Sequence, residues 1–160
     1  MADDTQSRRI STLVWGVKQS FRSYVEATGG AISTSGGAER LADGEFAFAA
    51  APDSDLGLDA SGKPEGRGKF LGEVRFESHG GMLSVRLANP AINITGTEAV
   101  LSVDDGFRRV EIVRLDLAAM TSGEGGQAVI PTALSMDGSQ VLGDHYPPRT
   151  VIDPVRLQPD

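Results

Sequence analysis

At 160 residues, of which 39% are hydrophobic and 23% charged, the chain has the size of one ordinary domain and enough apolar side chains to bury a core. A formal net charge of −7 without any basic run argues against nucleic acid as a partner, because phosphate-backbone binding needs clustered Lys and Arg. There is no cysteine, which excludes disulfides, thiolate metal sites, iron–sulfur clusters and cysteine nucleophiles. The histidines number two, His79 and His145, too few to favour a multi-histidine zinc or copper site.

The first periodic segment runs from about Ser11 to Ala27. Val14, Val17, Phe21 and Tyr24 recur at steps of three and four residues, which predicts an amphipathic helix of about four turns. Ser11 is its expected N-cap, Gly29-Gly30 its stop, and Lys18, Arg22 and Glu26 its polar side. Short strands are expected next at Ala31 to Thr34 and Gly44 to Ala50. The stretch from Pro52 to Gly68, rich in Gly, Asp, Ser and Pro, reads as a long loop and the least favourable place for core residues.

From Lys69 onward, alternating apolar residues predict an antiparallel sheet. Lys69 to Glu77 turns at His79-Gly80-Gly81 into Met82 to Leu87. Ala91 to Thr95, Glu98 to Asp104 and Arg108 to Leu117 follow. Val129 to Met136 and Gln140 to Gly143 form a last pair around Asp137-Gly138. The tail from Tyr146 to Leu157, with its prolines, is expected to be extended and packed. Many short strands with glycine turns indicate a mainly β fold, an antiparallel β-sandwich with one N-terminal amphipathic helix. Residues 1–10 are expected to be a disordered tail and 11–160 a single domain.

No segment approaches the roughly 20 apolar residues of a membrane span, and the acidic opening Met1–Gln6 does not resemble a signal peptide. The chain as written therefore reads as cytoplasmic, or as secreted or cell-envelope if a leader has been removed.

Tyr24 shares the apolar stripe, so its ring should face the protein. Composition alone favours an ordinary rim tyrosine; the sharper alternative is a phenol closing a pocket, where an ionised oxygen is a hard ligand suited to ferric iron. His79, at a strand–turn junction, is either a solvated turn histidine or a hydrogen-bond partner that favours the ionised phenol. His145 and Tyr146 read as a surface turn with an aromatic anchor. No G-x-S-x-G elbow, phosphate loop or dinucleotide fingerprint is present.

The string from Val14 to Val25, VWGVKQSFRSYV, resembles the opening motif of HtaA domains, W-G-[VI]-K-x-S-F-R-x-Y. Phe70 to Phe76 followed by His79-Gly80-Gly81-Met82-Leu83 is similar to the family's F-x-G-x-V-x-F-x-x-H-x-G-x-L. Asn89-Pro90-Ala91-Ile92 and the closing Tyr146 and Asp153-Pro154 match in kind and order, so the likeness covers about residues 12 to 157.

That resemblance implies a non-enzymatic haem-binding domain of actinobacterial haem uptake, transfer or storage. By it, Tyr24 is the axial ligand of ferric haem b, His79 its hydrogen-bond partner, and Tyr146 a further haem-binding tyrosine. Phe21, in the same stripe, completes the haem-binding set. The implied partners are haem and other haem-transfer proteins. The rival reading is a cytoplasmic relative whose pocket binds or transforms an apolar organic ligand, with Tyr24 and His79 as a proton-transfer pair.

Overall fold

The stripe of apolar residues that opens the chain is a strand before it is a helix. In the computed structural model, which describes residues 8–160, β1 (Arg8–Trp15) buries Ile10, Leu13, Val14 and Trp15, and α1 spans only Gln19–Ala27. The expected helix from Ser11 was wrong in its first half. Three consecutive buried residues, Leu13, Val14 and Trp15, mark a strand covered on both faces, and the three-and-four spacing across them was coincidental. The helix is capped at Lys18, not Ser11. Of the expected tail, residues 8–10 belong to β1, while residues 1–7 lie outside the described ones.

The strands that follow are β2 (Ala31–Ser35), β3 (Glu39–Arg40), β4 (Phe46–Ala50), β5 (Gly57–Leu58), β6 (Pro64–Glu65), β7 (Arg67–Leu71), β8 (Glu73–Ser78) and β9 (Leu83–Thr95). After them come β10 (Glu98–Asp104), β11 (Arg109–Leu115), β12 (Thr121–Ser122), β13 (Ala128–Leu134), the short helix α2 (Met136–Val141) and β14 (Val151–Pro159).

Eight of these strands close on themselves in the order β4-β7-β9-β10-β11-β13-β14-β1, because β1 pairs antiparallel with both β14 and β4. The architecture is a closed antiparallel β-barrel, and the expected β-sandwich is incorrect. A sandwich leaves strand edges open, whereas here the first strand joins the last and removes them. The closing strand is the segment read as helix, so closure was invisible in the sequence. Trp15, Phe46, Phe48, Phe70, Ile92, Leu101, Ile112, Ile130, Val155 and Leu157 belong to one continuous core cluster.

Two further segments depart from expectation. The glycine-rich stretch from Pro52 to Gly68 carries β5 and β6 and buries Leu56 and Leu58. Its β5 pairs with β1 at Arg8 and Arg9, so two leucines in a polar run suffice to fasten it. Gln140 to Gly143, expected as a strand, instead falls in α2 and the turn after it. Ser135 is the N-cap, its Oγ accepting from the Gly138 N–H at 2.8 Å, and Asp137 adds an acid in the first turn.

The hairpin that carries His79 leaves the barrel at a defined bend. Gly72 interrupts the expected continuous strand, with φ 132°, and a Cβ there would lie 2.6 Å from Ala38. Opposite it, Asn89 adopts φ 47°; its N–H donates to the Gly72 carbonyl at 2.7 Å and its Oδ1 accepts from the Gly72 N–H at 3.1 Å. Along one edge β9 pairs with β8 before the bend and with β7 beyond it, while β10 pairs with its other edge from Ala88 onward. β2 adds to the outer edge of β8, and α1 packs on β2 and β8, with Phe21 meeting Phe76 edge-on at 5.1 Å. No helix among the described residues is long and apolar enough to cross a membrane.

Candidate functional site

The resembling motif at Trp15–Tyr24 has a physical reading at nearly every position. Trp15 is buried, and its Nε1–H donates to the Asp153 carbonyl at 3.0 Å. Gly16 is followed by Val17 at φ 65°, an unusual conformation for a β-branched residue, held as the Asp153 N–H donates to the Val17 carbonyl at 3.0 Å. A Cβ on Gly16 would lie 2.6 Å from Asp153 Oδ2. Arg22 was expected on the polar side of the helix but is buried. Its Nη1 donates to the Gly16 carbonyl at 2.7 Å and to Asp153 Oδ2 at 2.8 Å, while Asp153 Oδ1 accepts from the Gln19 N–H at 3.1 Å. Asp153 on β14 thus takes the helix-start role that the Lys18 side chain does not fill.

Carboxylates around this anchor are tuned in opposite directions. Glu45 bonds Arg156 at 2.6 Å, yet burial pushes its carboxyl above the usual carboxylate range despite that guanidinium. Glu26, on the outer face of α1, is held below the usual range by its hydrogen bonds from Arg40.

With the helix so anchored, Tyr24 reaches the hairpin tip. Its Oη lies 2.8 Å from His79 Nε2, the hydrogen bond anticipated from the resemblance. His79 and Gly80 both take left-handed conformations, φ 54° and 64°, which turn the imidazole back toward the helix. At the C-terminal end of α1, Gly30 lets the chain pass close over β8. A Cβ there would collide with the Glu77 carbonyl and lie 2.6 Å from the Val25 carbonyl. Thr28 Oγ1 and Ser78 Oγ, 2.6 Å apart, fasten helix and hairpin directly beside the pair.

A third segment reaches the same place; the resemblance had included its Tyr146 in the site, whereas sequence reasoning missed its His145. The ring of His145 lies 5.1 Å from that of Tyr24, delivered by the turn after α2. Tyr146, next in the chain, is partly buried rather than a surface anchor; its OH and Ser20 Oγ are 2.9 Å apart. Phe21 is fully buried behind it, ring centroids 6.4 Å apart, and so supports Tyr146 from within the core. Lys18 places its Nζ 5.4 Å from the Tyr146 ring centre. Tyr24, His79 and Tyr146 therefore stand at one surface with His145 among them, and exposed Met82 closes the turn by donating its N–H to the His79 carbonyl at 3.2 Å. The only signal for His145 was its position beside Tyr146.

Tyr24 Oη faces an imidazole at the rim of the fold, and the ring stays partly accessible. The residues present fit a haem group: an oxygen donor able to face iron, an imidazole hydrogen-bonded beside it, and aromatic surface nearby. A groove of about 630 Å³ elsewhere on the molecule, bordered by Arg67, Lys69, Asn89 and Arg109, shares no residue with this site.

A closed eight-stranded barrel bearing a helix-to-hairpin Tyr–His pair defines the class of protein. The HtaA family model matches residues 11–158, and the chain belongs to the HtaA family. Its fold is similar to that of the C-terminal domain of HtaA from Corynebacterium glutamicum, at 26% identity and TM-score 0.70 over 94% of this chain and 95% of that one. It is similar also to the N-terminal domain of that protein, at 21% identity and TM-score 0.71 over 97% and 99%. The haem-binding protein HtaB from the same organism aligns at 21% identity and TM-score 0.68 over 95% and 93%. No match is found among curated proteins.

Proposed function

We propose that this domain binds ferric haem b, without catalysing a reaction, through the Tyr24 phenolate, and serves haem uptake, transfer or storage. The observation that carries the reading is the 2.8 Å contact between Tyr24 Oη and His79 Nε2 in a member of the HtaA family. One similar structure, HtaB, is itself described as a haem-binding protein. Ferric iron favours a hard anionic oxygen, and His79 Nε2, at hydrogen-bond distance from Tyr24 Oη, orients that oxygen as a supporting partner of the ligand. Tyr146, held by Ser20, offers an aromatic edge to the porphyrin. Lys18, beside Tyr146, is a cation placed for a propionate. When bound, haem supplies the iron, and the protein supplies position and charge.

Absorption titration of the apoprotein with ferric haem tests this. Wild type should give a saturable Soret change with tyrosinate features. Tyr24→Phe should lose those features and at least about tenfold in affinity, or roughly 1.4 kcal/mol; His79→Ala should keep the phenolate bands but bind more weakly. Equal affinity and identical spectra in wild type and Tyr24→Phe would remove the phenolate from the account.

A further inference from the structure

We propose that His145 is the ligand this site offers to haem iron once the iron is reduced, Tyr24 being the ligand in the ferric state; this deepens, and rests on, the haem-binding reading above. The placement of His145 is built into the chain. Gly143 and Asp144 both take left-handed conformations, φ 80° and 61°. The Asp144 N–H then donates to the Ser139 carbonyl at 3.0 Å, and Ser139 Oγ donates to the Tyr146 carbonyl. This turn sets the His145 ring 5.1 Å from the Tyr24 ring, and a Cβ on Gly143 would lie 3.2 Å from His145 Cδ2. Among the described residues, the His145 ring makes no hydrogen bond, whereas His79 Nε2 is committed to Tyr24.

The two oxidation states ask for different donors. Ferric iron is harder and favours phenolate, while ferrous iron carries one charge less and is better served by neutral imidazole. On reduction by a one-electron donor, the electron goes to iron, the iron–oxygen bond breaks and an iron–nitrogen bond to His145 forms. The Tyr24 oxygen takes the His79 Nε2 proton, and one solvent proton enters at His79 Nδ1. Tyr24 O–H then donates to His79 Nε2 and occupies its lone pair. Of the two imidazoles, His145 is left with a nitrogen to give.

The test is anaerobic dithionite reduction of haem-loaded wild type, His145→Ala and His79→Ala, read by absorption, by the iron–imidazole stretch in resonance Raman, and by haem retention on gel filtration. Circular dichroism confirms that each variant is folded. Wild type should exchange its phenolate signature for an imidazole one and keep its haem. His145→Ala should still show phenolate ligation when ferric, but lack the imidazole stretch and retain at least about tenfold less haem when ferrous. An unchanged ferrous spectrum in His145→Ala overturns the proposal, as does loss of the imidazole stretch in His79→Ala alone. Failure of wild type to bind ferric haem defeats the underlying reading, and is seen before any reductant is added.

Discussion

Arg22→Met should destabilise the domain by about 3–5 kcal/mol, the usual cost of stripping one partner from a buried ion pair, and lower the melting temperature on the order of 10 °C. The side chain retains only 8% exposure and Asp153 21%, so solvent does little to replace the lost guanidinium. The change leaves the Asp153 carboxylate with the Gln19 N–H at 3.1 Å and takes the 2.7 Å bond away from the Gly16 carbonyl. Because Asp153 also fixes the start of α1, haem binding should weaken although Arg22 lies away from Tyr24 Oη. Adding Asp153→Leu should recover part of the stability, since removing both charges is milder than stranding one. Chemical denaturation of the two single variants and the double variant measures this. A loss below about 1 kcal/mol in Arg22→Met would place the pair among ordinary surface ion pairs.

The second large effect comes from a residue with no side chain. Gly30→Ala should cost about 1–3 kcal/mol, the range for forced overpacking, because the new Cβ meets backbone oxygens of Glu77 and Val25 that cannot rotate away. The strain is relieved by moving α1 off β8, which separates Tyr24 from His79. Haem affinity should therefore fall together with stability. Gly29→Asn is the contrast: Gly29 has φ 77° with nothing within 4 Å of a built Cβ, and Asn tolerates that conformation at a helix end. Gly29→Asn should keep both stability and affinity near wild type. Equal losses at the two positions would mean that helix termination, not the close pass over β8, sets the effect.

Much of the sheet was legible because strand alternation is a local signal. β10 and the core of the His79 hairpin were visible as apolar residues at every second position, and the Tyr24–His79 contact followed from the family motif. Barrel closure was not legible, since it depends on pairing between β1 and β14, separated by almost the whole chain. The error at β1 has the same origin: a strand covered on both faces loses its alternation, and Val14, Val17 and Phe21 then mimic a helical stripe. Arg22 looked solvent-facing by spacing with Lys18 and Glu26, but its partner is Asp153, 131 residues away. Leu56 and Leu58 were hidden by their polar neighbours. His145 carried no local pattern, because a left-handed turn after α2 puts it against Tyr24.

The central claim is that one particular phenol binds the iron, and the sequence allows a direct test because the chain has two tyrosines. Tyr146→Phe leaves Tyr24 as the sole phenol. Resonance Raman of its ferric haem complex, excited in the phenolate-to-iron charge-transfer band, should show phenolate modes that shift when the protein is made with ring-deuterated tyrosine. A folded, haem-loaded protein without those modes would contradict the account and assign the iron to another ligand.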